Sequence, residues 1–182
     1  MTEENLIKKC ASGNSLAQKT FYEKFAGKMM GVCLRYAQNY EEAQDIMQDA
    51  FIKIFGKLSD YEKKGSLEGW VRRIVVNTAL DSYRKNKKHQ KNVAVETVDY
   101  MLENKTYIIE ELNANDLLAV IKTLPSGYQM VFNLFAIEGY SHKEIAARLN
   151  ITESTSKSQF SRAKKQLREI LVKKNIVEKG ER

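Results

Sequence analysis

Apolar residues in this chain recur at steps of three and four, and no stretch sustains the alternation of a strand between turn signals. That period gathers them on one side of successive helices, so the expected fold class is all-α. Asn14 or Ser15 can cap a helix running to about Tyr40, with Phe21, Tyr22, Phe25, Met29, Val32, Cys33 and Tyr36 as its buried stripe. From Glu41 a second helix sets Ala43, Ile46, Met47, Ala50, Phe51, Ile54, Phe55 and Leu58 on one face and Glu41, Asp45, Gln48 and Asp49 on the other. After a loop holding Lys63, Lys64 and Gly65, a third starts near Ser66 and buries Leu67, Trp70, Val71, Ile74, Val75 and Thr78. Asn77, Asp81, Arg84, Lys85 and Lys88 form its polar, basic stripe. Periodicity then fades over residues 86–113.

The C-terminal part resumes the pattern. Asn113 or Asn115 can cap a helix with Leu117, Leu118, Ile121 and Leu124 on one side. Pro125 suits the first turn of the next helix, which buries Val131, Phe132 and Phe135. Ser141 and Glu144 have the spacing of a capping box, opening a short helix with Ile145, Ala146 and Leu149 inside. Asn150 and Ile151 turn the chain, and Thr152 caps a long helix that buries Phe160, Ala163, Leu167, Ile170 and Leu171. A short helix, a tight turn and a longer basic helix predict a helix-turn-helix. Its second helix exposes Lys157, Ser158, Gln159, Arg162 and Lys164. In such motifs the start of that helix reaches base edges, while Ser154, Thr155 and free backbone N–H groups can hold phosphate.

Charge supports the same reading. The net +7 of the 182 residues is unevenly spread: residues 61–91 and 141–182 each carry +6, residues 92–116 carry −5, and the remaining stretches are neutral. Two basic blocks around an acidic one suggest two polyanion sites, although solvated helix faces give the same count. Asp60 to Trp70 combines Tyr61, Trp70, the flexible Gly65 and nearby cations, which is what unpaired bases need for stacking and backbone charge. Trp70 also fits the core stripe. The acidic face of the second helix is either solvated or a dock for a basic partner.

Several classes are excluded. No apolar run approaches the ~18 residues of a membrane span. The polar, acidic start is not that of a signal peptide, and Cys10 and Cys33 make no disulfide framework, so a cytoplasmic protein is expected. His89 and His142 have no companion at metal-ligand spacing, and no phosphate loop, dinucleotide fingerprint, nucleophile elbow or zinc motif is found. Neither an enzyme, a metal, a cofactor nor a small-molecule substrate is expected.

Three segments, taken in order, resemble the sigma factors of bacterial RNA polymerase, in particular the extracytoplasmic-function (ECF) class. Residues 43–51 read AQDIMQDAF, similar to the family's acidic helix; residues 70–85 read WVRRIVVNTALDSYRK, similar to its W-x-x-R-I-x-x-N-x-x-x-D-x-x-R-K motif. Leu124-Pro125, the run 139–146 (GYSHKEIA) and the run 155–163 (TSKSQFSRA) resemble its second domain. The resemblance implies two small helical domains, an N-terminal bundle over 1–91 and a C-terminal helix-turn-helix over 114–182, joined by a linker at 92–113.

It also implies roles. Asp45, Gln48, Asp49 and Phe51 would dock on the clamp coiled coil of the largest subunit of core RNA polymerase. The Asp60–Trp70 loop, with Tyr61, Lys63, Lys64 and Trp70, would hold a base flipped from the promoter's −10 element; Asn77 and Asp81 would contact the melted strand, and Arg84 and Lys85 its backbone. Ser154, Thr155, Lys157, Ser158, Ser161, Arg162 and Lys164 would read or grip the −35 element. Such proteins are commonly held inactive by an anti-sigma partner. Two positions depart from the family: Gln44 replaces a usual acid, and Ser156 a usual valine, which predicts a recognition helix less firmly packed at its start. Two other readings fit parts of the pattern, a stand-alone helix-turn-helix regulator and an adaptor of two helical bundles.

Overall fold

The computed structural model describes residues 2–92 and 114–173. Most of the linker expected at 92–113 therefore lies outside the described residues, as does Asn113 as a cap. The chain divides into two compact units, residues 1–86 and 87–182. Among the described residues there are eight α-helices and no strand.

The first unit opens with a helix that the periodicity did not signal. α1 (Glu3–Ala11) is short and polar but is capped by Thr2 and buries Leu6 and Cys10. Asn14 caps α2 (Ser15–Tyr36), its Oδ1 accepting from the Ala17 N–H at 2.9 Å. α2 ends at Tyr36 rather than near Tyr40, because Ala37 is extended and Asn39 already caps α3 (Tyr40–Lys57), accepting from the Glu42 N–H at 2.8 Å. Phe21, Phe25, Met29, Val32, Cys33 and Tyr36 are buried as expected; Tyr22 is not, being 41% exposed while its ring lies edge-on to Phe51. A 3-10 turn over Leu58–Asp60 follows α3.

Ser66 Oγ accepts from the Gly69 N–H at 3.1 Å and starts α4 (Leu67–Asn92). This helix continues past residue 86, where the apolar pattern fades because residues 84–92 include no apolar residue to show a period. Val76, Ala79 and Leu80 are buried beside Leu67, Val71, Val75 and Thr78, whereas Trp70 and Ile74 are half-buried, so α4 buries a wider face than its stripe implied. The buried Thr78 hydroxyl donates to the Ile74 carbonyl at 2.9 Å.

In the second unit α5 (Ala114–Lys122), α6 (Ser126–Phe132) and α7 (His142–Leu149) each pack against α8 (Glu153–Lys173). Val120, Ile121 and Leu124 meet Ala163 and Leu167, with Tyr128, Phe132, Ile170 and Leu171 partly buried around them. Pro125 is the N-cap of α6, one residue before the position expected of it. Between α6 and α7 the chain widens into a π-helical turn, Asn133–Ile137, which carries Phe135. Among the described residues no helix is long and apolar enough to cross a membrane.

Candidate nucleic-acid interface

The helix-turn-helix is closed by polar contacts at each joint. Both halves of the capping box form: the Glu144 N–H donates to Ser141 Oγ at 3.3 Å, and the Ser141 N–H to the Glu144 carboxylate at 2.9 Å. Asn150, at φ 54°, ends α7 in the left-handed conformation that Asn tolerates. Thr152 Oγ1 then accepts from the Thr155 N–H at 3.0 Å and caps α8.

At 100° per residue, Ser154, Thr155, Lys157, Ser158, Ser161, Arg162 and Lys164 cover about half of the α8 cylinder. The other half carries the buried Ser156, Ala163 and Leu167. Thr155 is half-buried and the other six are exposed. Several are anchored on their own helix or on its neighbour. Lys157 pairs with Glu153 at 2.7 Å, which holds the Glu153 carboxyl below its ordinary range. Arg162 Nη1 donates to Tyr128 Oη at 3.4 Å, and Lys164 Nζ lies 5.0 Å over the Phe160 ring. Ser158 Oγ donates to the Thr155 carbonyl. The Lys157–Glu153 pair is exposed, so water and salt screen it and a phosphate can displace it at little cost.

Two expectations for α8 need correction. Gln159 is half-buried, its amide lying against Gly127 of α6, where a Cβ would come within 3.3 Å of Nε2. Ser156 does not loosen the start of α8: it is fully buried, with its hydroxyl 2.9 Å from His142 Nδ1.

The loop before α4 folds back on itself. Tyr61 Oη donates to the Gly65 carbonyl at 2.8 Å, and its ring lies 5.6 Å from that of Trp70 at 53°. Lys63 and Gly65 both have positive φ, 58° and 114°. Lys63 pairs with Glu4 of α1, lowering that carboxyl's pKa, and Lys64 pairs with Glu62 at 2.5 Å. By helical spacing Trp70, Asn77, Asp81 and Arg84 share one side of α4. Asp81 accepts from Arg84 at 2.7 Å and from Lys53 of α3 at 3.2 Å, which ties the expected strand contact to a backbone-gripping cation. Lys85 is exposed.

On α3, Asp45, Gln48 and Asp49 are exposed, whereas Phe51 is 4% exposed. The hydrophobic period of Phe51 outweighs its place in the motif. Ile52, missed from the sequence because it breaks the acidic pattern, is 64% exposed on the same side. A shallow groove of about 370 Å³ runs past Tyr22, Met47, Gln48, Phe51, Ile52 and Phe55. Among the described residues no group of three or more His, Cys, Asp or Glu could hold a metal ion.

Residues 21–89 match the family model for Sigma-70 region 2, and residues 114–167 that for Sigma-70, region 4. Over 171 residues the chain is 30% identical to the ECF RNA polymerase sigma factor SigE of Mycolicibacterium smegmatis, covering 90% of this chain and 66% of that protein. Over 178 residues it is 28% identical to the ECF RNA polymerase sigma factor SigW of Bacillus subtilis, covering 91% and 94%. The chain belongs to the ECF sigma factors. Among solved structures, the sigma factor RpoE of Bartonella quintana, in complex with the anti-sigma factor NepR, shares the fold with a TM-score of 0.52 at 22% identity, over 85% of this chain and 98% of that one. A stand-alone regulator is not favoured, since the region 2 match of this ECF sigma factor takes in α3 and nearly all of α4, which such a regulator does not need.

Proposed function

We propose that this ECF sigma factor binds core RNA polymerase through the exposed acidic face of α3, captures the melted −10 element with the Asp60–Trp70 loop and the Trp70–Lys85 side of α4, and reads the −35 element with α8. The working modules are residues 1–91 and 114–182, with 92–113 as the linker. Asp45 and Asp49 present charge, and Gln48 an amide, to the polymerase clamp, with Phe51 lining the groove beside Gln48. Tyr61 and Trp70 offer ring faces to an unstacked base, each such contact contributing roughly 1–3 kcal/mol. Asn77 and Asp81 meet the strand, and Lys63, Lys64, Arg84 and Lys85 its phosphates. On α8, Ser154 and Thr155 sit at the helix start, where backbone N–H groups favour phosphate, and Lys157, Ser158, Ser161, Arg162 and Lys164 follow.

Tethering the two modules raises the effective concentration of the second once the first is bound. The protein works by binding rather than catalysis, without metal or cofactor, in the cytoplasm. An anti-sigma protein is a further partner, by extension from the solved Bartonella quintana complex.

The observation that carries this reading is the half-cylinder of polar and basic residues on α8, set outward by the buried Ser156, Ala163 and Leu167 on the opposite half. In vitro transcription with core polymerase on a promoter library tests it: a defined −35/−10 consensus among initiated templates is expected, and no initiation above core alone overturns it. An adaptor of two helical bundles would also show no salt-dependent DNA binding, whereas phosphate contacts lose affinity steeply with salt.

A further inference from the structure

The first turn of α8 is pinned from inside by a polar pair. Ser156 has no exposed surface, and a hydroxyl so placed must find a partner or bear its desolvation. That partner is His142, the first residue of α7, whose Nδ1 lies 2.9 Å from Ser156 Oγ. The imidazole is itself held by rings. It lies flat on Phe135, with centroids 4.3 Å apart and planes at 15°, and edge-on to Phe160 at 5.8 Å and 61°. Phe135 and Phe160 meet at 4.5 Å. Phe135 belongs to the π-helical turn, His142 to α7 and Phe160 to α8, so one side chain touches all three parts of the helix-turn-helix.

Neither end of the pair can slide along its helix. His142 follows directly on the capping residue Ser141, and the Ser156 N–H donates to the Thr152 carbonyl at 3.0 Å, inside the capped first turn of α8. A hydrogen bond prefers a narrow range of distance and angle, whereas an apolar contact tolerates some repacking. Ser156 sits between Thr155 and Lys157 and two residues from Ser154 and Ser158. The roll of α8 about its own axis decides where those four point. At a side-chain radius of about 5–6 Å, a roll of ~10° moves a tip by ~1 Å.

We propose that His142 and Ser156 are the positioning pair of the DNA-reading helix: their hydrogen bond sets the roll of α8 on α7 and thereby the discrimination among −35 sequences. This rests on the reading of α8 as the −35 reader. Neither residue touches DNA; both act through the side chains that α8 presents. A valine at position 156 would offer no such bond.

The test uses holoenzyme assembled from full-length variants and core polymerase. The probes are a promoter selected from a random library by the unsubstituted holoenzyme and copies with single base changes in its −35 element. His142→Phe keeps a ring on Phe135 and removes the hydrogen bond. His142→Asn offers an amide near the place of Nδ1 and removes the ring. His142→Phe/Ser156→Val replaces the polar pair by an apolar one. Initiation at each probe, core binding and the melting temperature are read for every variant.

His142→Phe should lower initiation at the selected promoter on the order of tenfold and flatten discrimination, with core binding unchanged. His142→Asn should retain discrimination although its melting temperature falls. The double variant should regain stability without regaining discrimination. Discrimination that follows melting temperature across the three, or that His142→Phe leaves intact, overturns the proposal. An unsubstituted holoenzyme with no −35 dependence overturns the reading of α8 itself, and the positioning role with it.

Discussion

Asn86 on α4 donates through Nδ2 to Oε1 of Glu42 on α3 at 2.8 Å. Ser82, one turn earlier, reaches the same oxygen at 3.2 Å, and the Gln38 N–H takes Oε2 at 2.8 Å. One carboxylate thus joins the start of α3, the chain before it and two successive turns of α4. It links the helix proposed to meet polymerase with the helix proposed to meet the melted strand.

Glu42→Ala should therefore weaken the first unit by about 1–2 kcal/mol, since Glu42 is half-buried and its partners are left to water. Trp70, the single tryptophan, stands in that unit, so its fluorescence during urea unfolding reports the change. An unshifted transition midpoint removes the role.

Arg162→Ala should cost on the order of 1–3 kcal/mol in −35 recognition with core binding intact, because Arg162 lies on the exposed half of α8, with its guanidinium 3.4 Å from Tyr128 Oη. Equal transcription from a −35-dependent promoter sinks the assignment.

Asp49→Lys should reduce core polymerase binding and leave thermal stability within about 0.5 kcal/mol of the parent, as an exposed surface substitution does. Unchanged core affinity in a pull-down with the folded variant counts against α3 as the polymerase face.

Cys33 is fully buried, and burial pushes its thiol up to about 12 from an ordinary 9.0; Cys10 is raised by the same cause. A folded pKa above the unfolded one means the folded chain holds more protons between those values. The contribution of Cys33 is thus present below about pH 9 and lost as pH rises toward 12. Iodoacetamide at pH 8 should label neither cysteine in the native protein and both in denaturant; rapid native labelling of Cys33 contradicts this.

The helices with long apolar stripes are legible in the sequence: α2, α3, most of α4 and α8 follow their periodicity. α1 was not, since Leu6 and Cys10 are too few to make a period among polar neighbours. The last turns of α4 escaped for the same reason. The candidate site divides similarly. Charge and motif point to the exposed Asp45, Asp49, Lys157 and Arg162, and periodicity to the buried Phe51, but Gln159 is packed and Ile52 is exposed beside the acidic residues.

What the amino-acid sequence determined alone was local: caps at Asn14 or Ser15, Ser141 and Thr152, the side of each helix that is apolar, and the order of the family's motifs. These depend on neighbours within one or two turns, which the chain states directly. Only the tertiary structure decided that Ser156 is firm rather than loose. Its partner His142 lies 14 residues away and is brought to it by the turn at Asn150, and whether a buried hydroxyl weakens or pins a helix depends on whether packing supplies that partner.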